Sequence, residues 1–151
     1  MSKFLVAVDL SPLAPEIIAQ ACRLAKTCGA QVTVMHVVPN LSTWRGYEPA
    51  LPYSMEEDME KAARTKLQSF IDLVVSRDEA YQGLIEEVVV ETGNAPAALT
   101  SYAEEGGYSM ILLGNRGAGA LERLLVGSTA SAVARLASMS VLILRPDVDL
   151  F

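Results

Sequence analysis

Short, nearly unbroken apolar runs alternate along this chain with longer segments whose apolar positions recur every three or four residues. Lys3 to Asp9 is apolar throughout its interior and ends in a carboxylate, which predicts a buried strand. Ser11-Pro12 and Pro15 then open a helix, because proline fits the first turn and no deeper position; either proline can mark the start. Ile17, Ile18, Ala21, Leu24, Ala25 and Cys28 share one face of that helix, and Gly29 is placed to end it. Val32 to Val38 is a second strand, stopped by Pro39. Asn40 to Ser54 holds Trp44, Tyr47 and Tyr53 among Gly46, Pro49 and Pro52, has no period, and reads as a long loop. Met55, Met59, Ala62, Ala63, Leu67, Phe70, Ile71 and Val74 predict a long amphipathic helix with this stripe in the core. Leu84 to Glu91 is a third strand, less apolar, as at a sheet edge. Gly93-Asn94-Ala95-Pro96 turns into a third helix that ends near Gly106-Gly107. Met110 to Leu113 and Val141 to Leu144 are two further strands, separated by a glycine-rich loop and an alanine-rich helix; Asp147 to Phe151 is a short tail.

The order is therefore β-α-β-(loop)-α-β-α-β-α-β. Continuous apolar strands between amphipathic helices predict an α/β fold: one doubly wound domain over residues 1–151, with a five-stranded parallel sheet and helices on both faces. Right-handed crossovers leave few topologies, and the order 3-2-1-4-5 is the most economical. It sets strands one and four side by side with their chains leaving in opposite directions. Ligands bind at such a switch point. The connections that meet there are Asp9 to Pro12 and Gly114 to Ser128, a carboxylate and a glycine-rich loop.

Composition narrows the partners. The 151 residues are 51% hydrophobic and 20% charged, with a net charge of −6. That balance indicates a folded chain and argues against sequence-independent binding to nucleic acid or an anionic membrane, which require a basic face. The first apolar run, Phe4 to Val8, is too short for a signal peptide or a membrane span, so a cytoplasmic location is expected. Cys22 and Cys28 lack metal-ligand spacing and read as reduced thiols.

The chemistry concentrates in the glycine loop. Gly114, Gly117 and Gly127-Ser128 precede a helix, and a helix N-terminus offers unpaired N–H groups and partial positive charge to an anion. The loop is neither GxxxxGK[ST] nor a GxGxxG after the first strand. On spacing alone, a tight turn followed by a helix cap accounts for these glycines as well as a phosphate cradle does. Asp9 either caps its own turn or contacts a ligand, and its place beside the switch point favours contact. His36, inside an apolar strand, reads as a hydrogen-bonded core residue. Arg116 and Arg123 flank the cradle, as solvated arginines or as phosphate contacts. Trp44 and the tyrosines form a flap, a partner surface or a self-packed loop. Glu56-Glu57-Asp58 suits a helix start better than a metal site. No nucleophilic triad is readable with a single mid-strand histidine, which favours a binding module over an efficient enzyme.

Gly114-x2-Gly117-x9-Gly127-Ser128 resembles the G-2x-G-9x-G-[ST] signature of the universal stress protein family in its ATP-binding branch. VAVDLSP at Val6 to Pro12, VMHVV at Val34 to Val38, ETGNAPAAL at Glu91 to Leu99 and SVLILRP at Ser140 to Pro146 resemble other parts of the same family. The resemblance implies a single-domain Rossmann-like fold and a nucleotide-dependent regulatory or stress-response module. Such a module binds ATP, with Mg2+ or Mn2+ on the phosphates, and forms a homodimer through strand 141–145, whose bare edge also invites pairing. It places Asp9 at the ribose and adenine, Ala7 and Val8 near the base, and Val37 against the adenine. Gly114, Asn115, Arg116 and Gly117 would wrap the ribose and phosphates, and Gly127, Ser128 and Thr129 would donate to the phosphates. Ala130 departs from the family, which often has Ser or Thr there. The alternatives are an adenylate-forming or ATP-hydrolysing α/β enzyme, against which the absence of SGGxDS counts, and a relative that acts through dimer contacts without nucleotide.

Overall fold

The apolar runs form five strands: β1 (Lys3–Ala7), β2 (Gln31–Pro39), β3 (Ile85–Gly93), β4 (Met110–Gly114) and β5 (Ser140–Leu144). All pair in parallel, in the order β3-β2-β1-β4-β5. The helices are α1 (Ala14–Cys28), α2 (Tyr53–Arg77), α3 (Ala95–Glu105) and α4 (Ser128–Leu136), with a short 3-10 turn at Glu79–Tyr81. This computed structural model describes residues 1–40, 53–115 and 126–148; Trp44, Tyr47, Arg116, Gly117 and Arg123 lie outside them.

Strand alternation sorts the core into two layers. Phe4, Val6, Val34, Leu112 and Leu144 face α1 and α2, where they meet Ile18, Cys22, Leu67 and Val74. Leu5, Ala7, Met35, Ile111 and Leu113 face α3 and α4, where they meet Leu99, Ala103, Ala130 and Val133. Covering both faces requires both parities of a strand to be apolar, which is why these runs are continuous rather than alternating. Each large side chain fully buried in this way contributes about 1.5–3 kcal/mol. The outer strand β3 has helices on its flanks but carries Glu86 and Glu87 exposed to solvent.

Local chemistry sets the element ends. Pro15 occupies the first turn of α1, so it, not Pro12, marks the start. Gly29 closes α1 in the left-handed region at φ 67°, where a side chain would be strained. The Asn94 side chain accepts from the Ala97 amide and caps α3. Three expectations shift. β1 ends at Ala7 rather than Asp9, because the Asp9 side chain accepts from the Ser11 amide and turns the chain out of the sheet. In α2, Ala63, Leu67, Phe70, Ile71 and Val74 are buried, whereas Met55 and Ala62 are exposed. The buried set spans an arc of roughly 100° at 3.6 residues per turn, and Met55 and Ala62 lie beyond its edge. Cys28, at the last turn of α1, is exposed, while Cys22 is buried and its thiol is pushed up to about 12 by desolvation. No described helix is long and apolar enough to cross a membrane.

Tyr108 locks the lower end of the α3 layer. It is buried, its hydroxyl bonds Thr33 Oγ1 at 2.9 Å, and Lys3 Nζ lies 4.5 Å from its ring centroid. A Cβ on Gly106 would meet this ring at 2.4 Å, whereas one on Gly83 would meet only the Ala80 carbonyl at 3.9 Å. Because the ring cannot swing away without losing the Thr33 bond, Gly106→Ala should lower stability in urea unfolding by about 1–3 kcal/mol. Gly83→Ala should stay within about 0.5 kcal/mol of the parent.

Candidate functional site

Adjacent strands β1 and β4 send their chains to opposite faces, β1 to α1 and β4 to α4. A cleft of about 590 Å3 opens between the two departures, at the C-terminal end of the sheet. One wall is Val8, Asp9, Ser11, Leu13, Ala14 and Ile17; the other is Gly114, Gly127, Ser128, Thr129 and Ala130. Ala7, Met35, His36, Val37, Leu113, Pro39, Ala95 and Leu99 complete it.

The first wall is an ordered turn. Asp9 Oδ1 accepts from the Ser11 amide at 3.0 Å, and Ser11 Oγ accepts from the Leu13 amide at 3.3 Å. Asp9 is half-buried, and among the described residues it is the one carboxylate that lines the cleft. His36 Nδ1 lies 2.8 Å from the Val8 carbonyl oxygen. That oxygen can only accept, so Nδ1 carries the ring proton in the neutral form. His36 thus has the hydrogen bond expected of a core residue, but it is half-buried and also lines the cleft.

The second wall is a helix start with two bonded stems. The Asn115 amide donates to the Leu144 carbonyl at 2.9 Å, and the Gly127 amide donates to the Asn115 carbonyl at 2.7 Å. These bonds bring both ends of the β4–α4 connection to the end of β5. Gly127 is the N-cap of α4 and supplies no side-chain cap. The amides of the first turn, Ser128 to Ala130, therefore lie at the positive end of the helix dipole, beside the cleft. The Ser128 and Thr129 side chains are exposed there.

Of the residues named from the sequence, Ala7, Val8, Asp9, Val37, Gly114, Gly127, Ser128 and Thr129 come together around this cleft. Asn115 does not line it. Asn115 is buried behind the second wall, with Oδ1 unbonded, and its backbone ties the stems. Arg116 and Gly117 lie outside the described residues. Sequence reasoning placed Ser11 at the switch point only as part of the Asp9 to Pro12 connection, read Ile17 as a helix-face position, and passed over Leu13; all three follow from the turn geometry once α1 is placed. It also passed over Gln20, a glutamine 1% exposed in the middle of α1. The Gln20 Nε2 donates to the carbonyls of Arg145 (3.1 Å) and Val148 (3.0 Å), 125 and 128 residues away. No local signal marks such a contact. Among the described residues, no group of three His, Cys, Asp or Glu is placed to hold a metal ion.

Comparison with known proteins gives a consistent match. The model of the Universal stress protein family matches residues 1–145. Universal stress protein YxiE of Bacillus subtilis is 25% identical over 146 residues, covering 95% of this chain and 99% of that protein. Universal stress protein A homolog 1 of Coxiella burnetii is 29% identical over 143 residues, covering 91% and 92%. The solved structure of UspA from Lactobacillus plantarum superposes with a TM-score of 0.70 at 22% identity, covering 95% of this chain and 97% of that one. A universal stress protein from Archaeoglobus fulgidus in complex with dAMP gives 0.62 at 22% identity, covering 95% and 97%. A universal stress protein in complex with cAMP gives 0.62 at 19% identity, covering 97% and 98%. At these identities the structures share the fold.

The Asp9 turn can be tested apart from any ligand. Asp9→Ala removes the acceptor for the Ser11 amide and should lower unfolding free energy by about 1 kcal/mol, while Asp9→Asn, which keeps an oxygen at that position, should lose less than about half of that. Equilibrium denaturation of the two variants beside the parent provides the comparison.

Proposed function

We infer, for a chain that belongs to the universal stress protein family, that it is an adenine-nucleotide-binding regulatory module, with ATP as its ligand and Mg2+ or Mn2+ carried on the phosphates. The observation that carries this reading is the pairing, across one cleft, of an acceptor turn at Asp9 with a glycine-capped helix start at Gly127. The two ends suit the two ends of a nucleotide. Apolar Ala7, Val8 and Val37 offer a surface for a base, and Asp9 offers a carboxylate to ribose hydroxyls. Gly114 and Gly127 admit close backbone approach, and the first-turn amides of α4 with the Ser128 and Thr129 hydroxyls suit phosphate. Two proteins of this fold are solved with the nucleotides dAMP and cAMP, which supports the same class of ligand here.

Phosphoryl transfer demands metal-holding carboxylates and cations around the γ-phosphate. The carboxylate that lines the cleft serves the nucleoside end in this reading, which favours binding and signalling over rapid turnover. Ala130 is buried against the α4 layer and carries a methyl where a hydroxyl would add a phosphate contact. It favours the second reading, a relative that works through subunit contacts alone.

A thermal shift series separates the two. ATP with Mg2+ at a hundredfold excess over its dissociation constant should add about 2.7 kcal/mol of stability. AMP should give a smaller shift and GTP the smallest. No shift with any nucleotide would select the second reading. The subunit contact is proposed at β5, a sheet edge where Val141, Leu142 and Ile143 stay half-buried and Leu136 nearby is exposed. Sedimentation equilibrium at micromolar concentration should return twice the chain mass, and Ile143→Lys should return the chain mass; a parent that sediments as a monomer removes the edge pairing.

A further inference from the structure

The turn that follows β5 is held from two sides. Gln20, buried in α1, donates both amide hydrogens to it, at the Arg145 and Val148 carbonyls, and the Val148 amide closes it onto the Arg145 carbonyl at 3.2 Å. One residue upstream, the Leu144 carbonyl accepts from the Asn115 amide, and the Asn115 carbonyl accepts from the Gly127 amide at the start of α4. The bonds form an unbroken path from the interior of α1 through the post-β5 turn to both stems of the β4–α4 connection. The two ends of this path are the two walls of the cleft. Ile17, one turn before Gln20 on the same face of α1, lines one wall, and Gly127 lines the other.

We propose that Gln20 is a positioning residue for the phosphate end of the site: it fixes the post-β5 turn against α1 and thereby sets where the amides of Gly127 and Ser128 stand relative to the Asp9 wall. The proposal rests on the nucleotide reading of the cleft and assigns a role to a side chain that touches no ligand. Its burial explains the form of the device. An amide fixed inside α1 that gives its two hydrogens to the Arg145 and Val148 carbonyls holds that exposed turn more rigidly than exchanging water would, and losing it removes this donor from both. Small displacements at a helix start matter because the amides there act on an anion through short, directional hydrogen bonds.

Calorimetric titration with ATP–Mg2+ and with AMP tests this. Gln20→Met keeps the volume and removes the donors. It should weaken ATP about tenfold and AMP only about two- to threefold, since AMP offers the phosphate wall one phosphate and ATP three. A chain ending at Pro146, which lacks the Val148 carbonyl, should show the same split, and the combined variant should lose little more than either alone. Equal losses for both nucleotides, unchanged ATP affinity, or fully additive losses would each overturn the proposal. A parent chain that binds neither nucleotide would instead overturn the nucleotide reading, and this inference with it.

Discussion

The parallel pairing of β1 with β4 is the constraint on which everything else depends. Its register runs from Phe4 against Met110 to Ala7 against Leu113. These strands are neighbours in space and distant in sequence, and each must leave the sheet at its C-terminal end. Because right-handed crossovers carry one chain to each face, the backbone itself forces a gap between them. The cleft therefore follows from topology before any side chain is chosen. Its walls are then specialised by a few residues: an aspartate that ties down its own turn, and a glycine that leaves a helix start uncapped.

The two walls differ in how they are fixed. The Asp9 turn is local, held by bonds between residues two apart. The α4 wall is held at a distance, through Asn115 and Leu144, by the last strand of the sheet. A cleft assembled in this way has one half fixed by short-range bonds and another whose position depends on how the end of the chain is packed. Gln20 belongs to that second half. It occupies a position in α1 where an apolar side chain would fill the space equally well but would satisfy neither the Arg145 nor the Val148 carbonyl.

This difference also explains what could be read from the sequence. Strand identity, parallel order and the switch point were legible because each depends on apolar continuity and crossover geometry, which act over short stretches. That Asp9 and Gly127 would meet at the switch point was legible from topology, whereas the glycine spacing alone left a turn and helix cap as good an explanation as a ligand site. The end of β1 was misplaced because one side-chain acceptor, Asp9, outweighed the apolar run that led into it. Met55 and Ala62 were misassigned because a helical stripe says which residues share a face but not how wide the covered arc is. Gln20 and the tying role of Asn115 were not legible at all. Their partners lie on chain segments that only the folded sheet brings near, and a buried glutamine has no periodic signature.

The outer strands of the sheet also differ in a way that bears on growth. β3 presents the exposed carboxylates of Glu86 and Glu87, whereas β5 presents Val141, Leu142 and Ile143. A copy that approached head to tail would set an apolar border against a repulsive, strongly hydrated one and would have to strip that hydration to dock. Pairing of like borders would instead set apolar against apolar, and each copy would then present that border to its mate. Were copies to pair at β5, the pairing would close on itself, and the Glu86 and Glu87 border would stay in solvent.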